Sequence, residues 1–325
     1  MFSRILLTAC LILTLAATAV AAEPTTLHFG IISTASHQTL KKRWEPLLAD
    51  MQKSIGIKVQ AFYAPNYAGV IEAMRANKVQ VAWFGNKSAI EAVDHAYGEV
   101  FAQAVPLDGT PGYYSHLIVH KDSGLNSLED VLKHAKKLSF GNGDPNSTSG
   151  FLVPNYYAFA KHKVDPKLAF KSVVNASHEG NSLAVASKQV DVATSNSVHL
   201  LNFEKGFPEK RLLLKVVWSS PLIPSDPLVW RADLPEKLKG RIKDMILAYG
   251  VKGPNVEKEK PVLTGLSWAY FRGSDNDQLL PVRQLELFKV RTRIETDASL
   301  APADKAQQLA KIDAKLDEMQ SKIKR

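Results

Sequence analysis

The chain has 325 residues, of which 45% are hydrophobic and 22% are charged, and this composition is typical of soluble globular proteins. Its length exceeds what one compact core usually serves, so it favours two lobes. The formal net charge is +9, yet lysine and arginine are mixed with aspartate and glutamate and form no basic run, so the charge does not indicate a nucleic-acid-binding protein.

The N-terminus predicts an exported protein. Arg4 provides a short positive region, residues 5–20 are almost entirely apolar, and residues 19–22 (Ala-Val-Ala-Ala) are the small residues after which signal peptidase cleaves. The segment is short for a membrane-spanning helix, so we expect residues 1–22 to be a signal peptide that is cleaved near Ala22. The only cysteine, Cys10, lies in this segment, and the mature chain would therefore contain no disulfide, cysteine nucleophile or thiolate metal site.

The rest of the chain alternates β-rich runs with helical patterns of apolar residues. The first part predicts strands at 27–32, 57–64, 79–85 and 100–105, and helices at 38–53, 67–76 and 87–96. The middle predicts strands at 116–120, 138–141, 170–174, 190–194 and 212–218, and helices at 128–137, 151–161 and 181–188. Beyond residue 231 the pattern is helical, including 234–249 and a helix from 302 onward. This alternation predicts an α/β protein with mostly parallel sheets that are covered by helices on both faces.

Two passages rich in proline and glycine, 106–112 and 219–227, interrupt the alternation. Each lies between the predicted halves, where the chain would cross from one lobe to the other. We therefore predict one lobe from residues 23–113 plus 222–325 and an inserted lobe from residues 114–221. Two lobes joined by a paired hinge can close over a ligand. The alternative is two surface loops on one larger sheet.

The last predicted helix carries a narrow apolar stripe with alternating three- and four-residue spacing. The stripe consists of Leu309, Ile312, Leu316, Met319 and Ile323. This spacing is that of a coiled-coil seam. It predicts either a helix that packs on its own lobe or a homodimer contact through the C-terminal helix.

One segment has the chemistry of an anion-binding site. Residues 142–150 (Asn-Gly-Asp-Pro-Asn-Ser-Thr-Ser-Gly) follow a predicted strand and open a helix. Helix N-termini leave backbone N–H groups without partners and carry the positive end of the dipole, and Ser147, Thr148 and Ser149 add three hydroxyl groups. Together these donors suit a tetrahedral oxyanion. The lysine of a nucleotide-binding P-loop is absent, and simple N-capping by Ser147 is the alternative.

Four further residues lie where a ligand cleft would form. Tyr67 is at a strand-to-helix junction, Tyr113 and Asp226 are in or beside the two crossovers, and His178 follows a predicted strand. Tyrosine and histidine can donate to an anion, although each of these residues is also common in packing, loops or turns. The sequence contains no His-Glu-x-x-His or Gly-x-Ser-x-Gly motif, so it predicts a binding protein without catalytic residues, metal or cofactor.

Four segments of the chain resemble the periplasmic phosphonate-binding proteins of ABC importers, the PhnD family. They are residues 62–70, 81–86, 141–154 and 220–227, and the likeness extends from about residue 27 to about residue 289. The resemblance implies a type II-like fold with two α/β lobes, a small phosphonate held in the cleft between them, an inner-membrane ABC permease as partner and a periplasmic location. Binding of phosphite or another small tetrahedral oxyanion is an alternative of the same class. A periplasmic enzyme acting on phosphorus compounds is an alternative of another class.

The resemblance also implies which residues bind the ligand. The phosphonate oxygens would be held by Ser147, Thr148, Ser149, Tyr67, Tyr113 and His178. Asp226 would face the other end of the ligand. In family members that take 2-aminoethylphosphonate a glutamate joins this aspartate, whereas the matching position here is Val198. The preference for an aminoethyl tail therefore stays open, and the phosphonate assignment does not depend on it.

Overall fold

A computed structural model describes residues 23–323, so the predicted signal peptide and its cleavage site lie outside the described residues. The strands are β1 (Thr26–Ile31), β2 (Lys58–Tyr63), β3 (Val81–Trp83), β4 (Gly98–Pro106), β5 (Gly112–Tyr113), β6 (Ser115–His120), β7 (Ser139–Asn142), β8 (Ser172–Asn175), β9 (Val192–Asn196), β10 (Leu214–Ser219), β11 (Ile223–Pro224), β12 (Pro227–Arg231) and β13 (Trp268–Gly273). The α-helices are α1 (His37–Ile55), α2 (Tyr67–Arg75), α3 (Asn86–His95), α4 (Leu128–His134), α5 (Pro166–Ala169), α6 (His178–Ala186), α7 (Ser197–Gly206), α8 (Pro208–Arg211), α9 (Glu236–Ala248), α10 (Val256–Gly265), α11 (Leu280–Thr296) and α12 (Pro302–Ile323). Two π-helical segments, Thr148–Leu152 and Asn155–Phe159, and three 3-10 turns, Ala135–Lys137, Ala160–His162 and Asn276–Leu279, complete the chain.

The strands form two mixed sheets. The larger sheet has the order β13-β4-β12-β3-β1-β2 and the smaller one the order β10-β6-β9-β7-β8. Strand β1 is parallel to β2 and β3, but β12 is antiparallel to both β3 and β4. The prediction of mostly parallel sheets is therefore wrong at the returning strands. The reason is topological. Strand β4 leads into the crossover to the second lobe, and β12 follows the crossover that returns from that lobe, so the two neighbouring strands run in opposite directions.

A two-stranded antiparallel ribbon, β5 with β11, joins the two sheets. Ile223 pairs with Tyr113 and Pro224 with Gly112. Gly112 is required there, because a Cβ atom at this position would lie 1.9 Å from the carbonyl oxygen of Ile223. The ribbon holds both crossovers side by side, and the segment 114–221 between them carries all five strands of the smaller sheet.

Each sheet is covered by helices on both faces. In the larger sheet, α1, α9 and α10 pack on one face and α2, α3 and α11 on the other. In the smaller sheet, α4 and the second π-helical segment cover one face, and α6 and α7 cover the other. None of the helices in residues 23–323 is both long enough and apolar enough to span a bilayer.

The C-terminal region differs in two ways from the helical pattern expected beyond residue 231. Strand β13 comes between α10 and α11 along the chain and forms one edge of the larger sheet. Its alternation of buried apolar and exposed polar side chains is weak, because Tyr270 is 40% exposed. Helix α12 folds back on α11, where Ile312 and Leu316 pack with Ile294 in a small core of their own. The centre of the apolar stripe thus packs within its own lobe.

Candidate functional site

A cavity of about 60 Å³ lies between the two lobes beside the ribbon. A water-sized group takes roughly 10–15 Å³ by this measure, so the cavity holds only about four to six such groups. All seven residues predicted as ligand-binding line it: Tyr67, Tyr113, Ser147, Thr148, Ser149, His178 and Asp226. The lining also includes Val198 and residues that the sequence analysis did not single out, among them Arg43, Trp44, Trp83, Asn196, His199, Asn202 and Trp268.

Ser147, Thr148 and Ser149, here called the oxyanion cradle, sit at the start of the first π-helical segment. The preceding loop is tight, because a Cβ atom on Gly143 would lie 2.6 Å from the backbone of Gly150. Ser147 is the N-cap, and its Oγ accepts a hydrogen bond of 2.9 Å from the Gly150 N–H. The N–H groups of Thr148 and Ser149, at the start of the first turn, have no acceptor within a regular helix and can be donated to an anion. Capping by Ser147 and anion binding are thus compatible.

The hydroxyl groups of the cradle accept hydrogen bonds from neighbouring elements. Thr148 Oγ1 accepts from the Lys87 N–H at 2.8 Å, and Ser149 Oγ accepts from Asn196 Nδ2 at 3.1 Å. Because each hydroxyl oxygen is used as an acceptor here, its own hydrogen can be donated, and for Ser149 one acceptor already within reach is His178 Nε2 at 3.5 Å. The cradle therefore offers hydroxyl donors whose orientation is fixed by the protein.

His178 is the first residue of α6 and is 4% exposed. Its Nε2 lies 3.1 Å from the amide nitrogen of Asn196, which can only donate, so the ring hydrogen is assigned to Nδ1. Nδ1 is buried and has no hydrogen-bond partner among the described residues. Burial lowers the pKa of His178 to about 4, so the ring is neutral at pH 7. His178 thus presents a neutral, unused N–H donor.

Asp226 lies at the oxyanion cradle. A Cβ atom on Gly85 would be 3.1 Å from Thr148 Oγ1 and 3.8 Å from Asp226 Oδ1, so these two side chains flank the same backbone position. Burial raises the pKa of Asp226 to about 7, with the Tyr113 hydroxyl acting in the opposite direction. Oδ1 has no hydrogen-bond partner in the part of the chain that the structure describes. That Asp226 faces the other end of the ligand stays a prediction, and its place in the cavity depends on how the second crossover folds against the first.

Two tyrosines lie close to this carboxyl group. Tyr67 is 3% exposed and Tyr113 is 6% exposed. Burial, and then the nearby carboxylates, raise the pKa of each phenol far above its usual value. Both remain protonated donors at any physiological pH.

The lobes are held together by hydrogen bonds that do not involve a ligand, here called the interlobe latches. They bring backbone groups of the larger lobe to residues of the inserted lobe: Tyr67 N to Asp144 Oδ2 at 3.0 Å, Ser36 N to Glu179 Oε1 at 3.0 Å, Lys87 N to Thr148 Oγ1 at 2.8 Å and Glu179 N to Thr34 O at 3.1 Å. The structure is therefore a closed conformation. The latch roles of Glu179 and Asp144 were not predicted, because carboxylates that accept backbone N–H groups across a cleft leave no residue pattern.

Part of the cavity wall is aromatic. The rings of Trp44, Trp83 and Trp268 lie 5.3–5.8 Å apart, centroid to centroid. Arg43 on α1 and Asn202 on α7 also line the cavity. Within residues 23–323 no group of three or more histidine, cysteine, aspartate or glutamate side chains is arranged to hold a metal ion.

Comparison with known proteins gives a consistent result. A family model described as the periplasmic substrate-binding protein of a phosphonate ABC transporter matches residues 29–279. The phosphonates-binding periplasmic protein of Escherichia coli K12 is 55% identical over 293 residues, which are 90% of this chain and 85% of that protein. The crystal structure of a binding protein component of an ABC phosphonate transporter from Pseudomonas aeruginosa aligns with a TM-score of 0.88 and 53% identity, covering 93% of this chain and 98% of that one. A Prochlorococcus marinus protein in complex with methylphosphonate has the same fold, with a TM-score of 0.73 and 24% identity over 83% of this chain and all of that one.

Proposed function

The chain belongs to the family of periplasmic substrate-binding proteins of phosphonate ABC transporters, and we propose that it holds its ligand between the oxyanion cradle and Asp226. As a member of that family it is the binding component of an importer and not an enzyme. It works in the periplasm with an ABC permease.

The observation that carries the binding-site proposal is the pair of unpartnered polar atoms at the cradle. His178 Nδ1 and Asp226 Oδ1 are both buried and lack hydrogen-bond partners among the described residues. A buried polar atom without a partner costs about 1–3 kcal/mol, so two such atoms beside one small cavity indicate that a ligand completes them. A phosphonate offers three oxygens for this purpose.

The proposed contacts follow from the protonation state of each group. The hydroxyls of Thr148 and Ser149, the phenols of Tyr67 and Tyr113 and the His178 N–H are all neutral donors. The Asp226 carboxyl group, with its pKa near 7, exists partly in the protonated form at neutral pH and can then donate as well. A site of neutral donors binds an oxyanion without leaving a protein cation buried when the ligand departs.

The proposed movement is a rotation of the two lobes about the ribbon of β5 and β11. The moving bodies would be residues 23–113 with 222–325 and residues 114–221. Support comes from the distribution of the donors, because Tyr67 belongs to the first body and the cradle to the second. Only a closed cleft brings both to one ligand.

Two finer proposals concern the ends of the chain. Signal peptidase would cleave near Ala22, which mass determination of the exported protein tests. A homodimer through α12 would have to use the outer side of the α11–α12 hairpin, for example Ile323, which is 40% exposed, because Leu316 is buried within the hairpin. Sedimentation of wild type and Ile323→Lys tests it, and a monomeric wild type would contradict it.

The function is tested by calorimetry and thermal shift with methylphosphonate, ethylphosphonate, phosphite, phosphate and sulfate. We expect a phosphonate to bind most tightly and to stabilise the fold by about 4 kcal/mol at a thousandfold excess over Kd. Tighter binding of phosphite or phosphate than of every phosphonate would contradict the ligand class. Release of phosphate from any phosphonate would contradict a role restricted to binding.

A further inference from the structure

We propose that Asn196 is a positioning residue of the binding site, whose side-chain amide fixes which atoms of His178 and Ser149 can donate to the ligand. The inference rests on the proposed phosphonate site and concerns the state of that site before the ligand arrives. Asn196 lines the cavity and is 8% exposed. It acts through its two neighbours, and a contact of its own with the ligand is not required.

Three neighbouring strands of the smaller sheet bring these residues together. Strand β7 is parallel to both β8 and β9, so the carboxyl ends of the three strands lie at one edge of the sheet. The cradle follows β7, His178 follows β8, and Asn196 is the last residue of β9. All of them belong to the segment 114–221, so their contacts with one another do not depend on closure of the cleft.

The hydrogen bonds of the Asn196 side chain fix its orientation. Asn196 is the N-cap of α7, and its Oδ1 accepts the His199 N–H at 2.7 Å. Turning the amide over would place its nitrogen against that N–H group, so that two donors would face each other. The nitrogen Nδ2 therefore points the other way, where it lies 3.1 Å from Ser149 Oγ and 3.1 Å from His178 Nε2. An amide nitrogen carries two hydrogens, one for each of these atoms.

This arrangement determines which donors the ligand meets. Because His178 Nε2 accepts from Asn196, the ring hydrogen is on Nδ1, which is buried and has no partner among the described residues. Ser149 Oγ also accepts from Asn196, so the hydroxyl hydrogen of Ser149 must point away from that amide. Donors that are already oriented bind an oxyanion without the cost of rearranging first.

Helix capping alone does not require an asparagine at this position. Serine caps helices about as well as asparagine does. The helical segments that follow β7 and β8 at the same edge of the sheet are capped by Ser147 and Ser177. Asn196→Ser would keep an acceptor for the first-turn N–H group but would remove both amide hydrogens. Capping and donation are therefore two roles of Asn196 that substitutions can separate.

The test is NMR spectroscopy of protein labelled with ¹⁵N-histidine, which distinguishes a ring nitrogen that carries hydrogen from one that does not. His178→Gln identifies the His178 signals by their loss. We expect the wild type at pH 7 to carry hydrogen on His178 Nδ1 and none on Nε2, both without ligand and with methylphosphonate. Hydrogen on Nε2 in the ligand-free wild type would overturn the inference, and this measurement needs no folded variant of Asn196.

Two variants keep the helix cap and change the amide. Asn196→Ser removes both hydrogens, so the Nε2–H form of His178 should appear and methylphosphonate should bind about tenfold more weakly. Asn196→Asp replaces the donor by an acceptor, so hydrogen should move to His178 Nε2. Asn66→Ser is the matched control, because Asn66 also caps a helix by accepting a backbone N–H, that of Gly69, but is exposed and does not line the cavity. It should leave the His178 signals unchanged and the affinity within about twofold.

The outcomes separate this inference from the proposed function. If Asn196→Ser binds methylphosphonate as tightly as the wild type does, or if Nε2 stays without hydrogen in Asn196→Asp, then Asn196 is only a helix cap and the inference is overturned. A lower melting temperature with unchanged His178 signals in Asn196→Ser would have the same meaning. If no phosphonate binds to the wild type, the proposed function fails, whereas the spectra of the ligand-free proteins still decide the role of Asn196.

Discussion

Replacing Thr148 by valine separates two roles that one hydroxyl group performs in the closed protein. Its oxygen accepts the Lys87 N–H at 2.8 Å, and its hydrogen is free for a ligand oxygen. Valine has nearly the same shape as threonine but neither donates nor accepts. Thr148 is 1% exposed, so the substitution removes a hydroxyl group from a buried site that bulk solvent does not reach.

The expected loss of phosphonate affinity in Thr148→Val comes from both roles of the hydroxyl group. A hydrogen bond to a charged group contributes about 1.5–3 kcal/mol, and an N–H group left without a partner costs about 1–3 kcal/mol. The Lys87 N–H is only partly buried, so the cost of leaving it without a partner lies near the lower limit of that range. A total of about 3 kcal/mol corresponds to roughly a hundredfold higher Kd for methylphosphonate.

Calorimetry gives the affinity, and the melting temperature of the ligand-free protein reports on folding. Thr148→Ser is the control, because it keeps the hydroxyl group and loses only one methyl group, which is worth about 0.8 kcal/mol when fully buried. A Thr148→Val protein that binds within about threefold of wild type would refute the reasoning. A serine variant as weak as the valine variant would show that shape, and not the hydroxyl group, is what matters.

Four further outcomes are expected. The pKa of Asp226, about 7, predicts that phosphonate affinity falls as the pH rises through 7, because the protonated carboxyl group donates to the ligand whereas the ionised one repels it. Asp226→Asn always donates and should flatten this pH profile. An unchanged slope in calorimetry would contradict the assignment. Val198→Glu should raise the affinity for 2-aminoethylphosphonate and lower that for methylphosphonate by about tenfold each, and changes in the same direction would show that residue 198 does not face the tail. Glu179→Gln weakens a latch without touching the cavity, so it should lower the affinities for all phosphonates by one common factor of about three to ten, and a ligand-dependent factor would contradict this. Small-angle scattering should show a smaller radius of gyration when ligand is bound, and identical curves with ligand confirmed bound would count against lobe closure.

The parts of the fold that the sequence predicted are those determined by local chemistry. The run from Asn142 to Gly150 has the glycines of a tight loop and the serine of an N-cap, so a cradle at the start of a helix followed from nearby residues alone. The two crossovers were visible because proline and glycine interrupt a regular alternation.

What the sequence could not predict depends on contacts between distant segments. Arg43 lies in α1 beside exposed lysines, and nothing in the helical pattern distinguishes the side chain that lines the cavity. The position of Asp226 depends on the pairing of the two crossovers, with Ile223 opposite Tyr113. The antiparallel direction of β12 depends on the same return of the chain, and a period of two along a strand carries no information about direction.

The interlobe latches bear on how a transporter distinguishes ligand-loaded binding protein from empty binding protein. They join protein to protein, so they form in an empty molecule as readily as in a loaded one. An empty closed molecule would compete with a loaded one for the permease, and import would stall on it. In the proposed site a phosphonate completes His178 Nδ1 and Asp226 Oδ1, whereas closure without ligand leaves these two buried atoms to the few waters that the cavity can hold. Closure would then be more favourable with the ligand than without it, so the cavity itself would report whether the cargo is present.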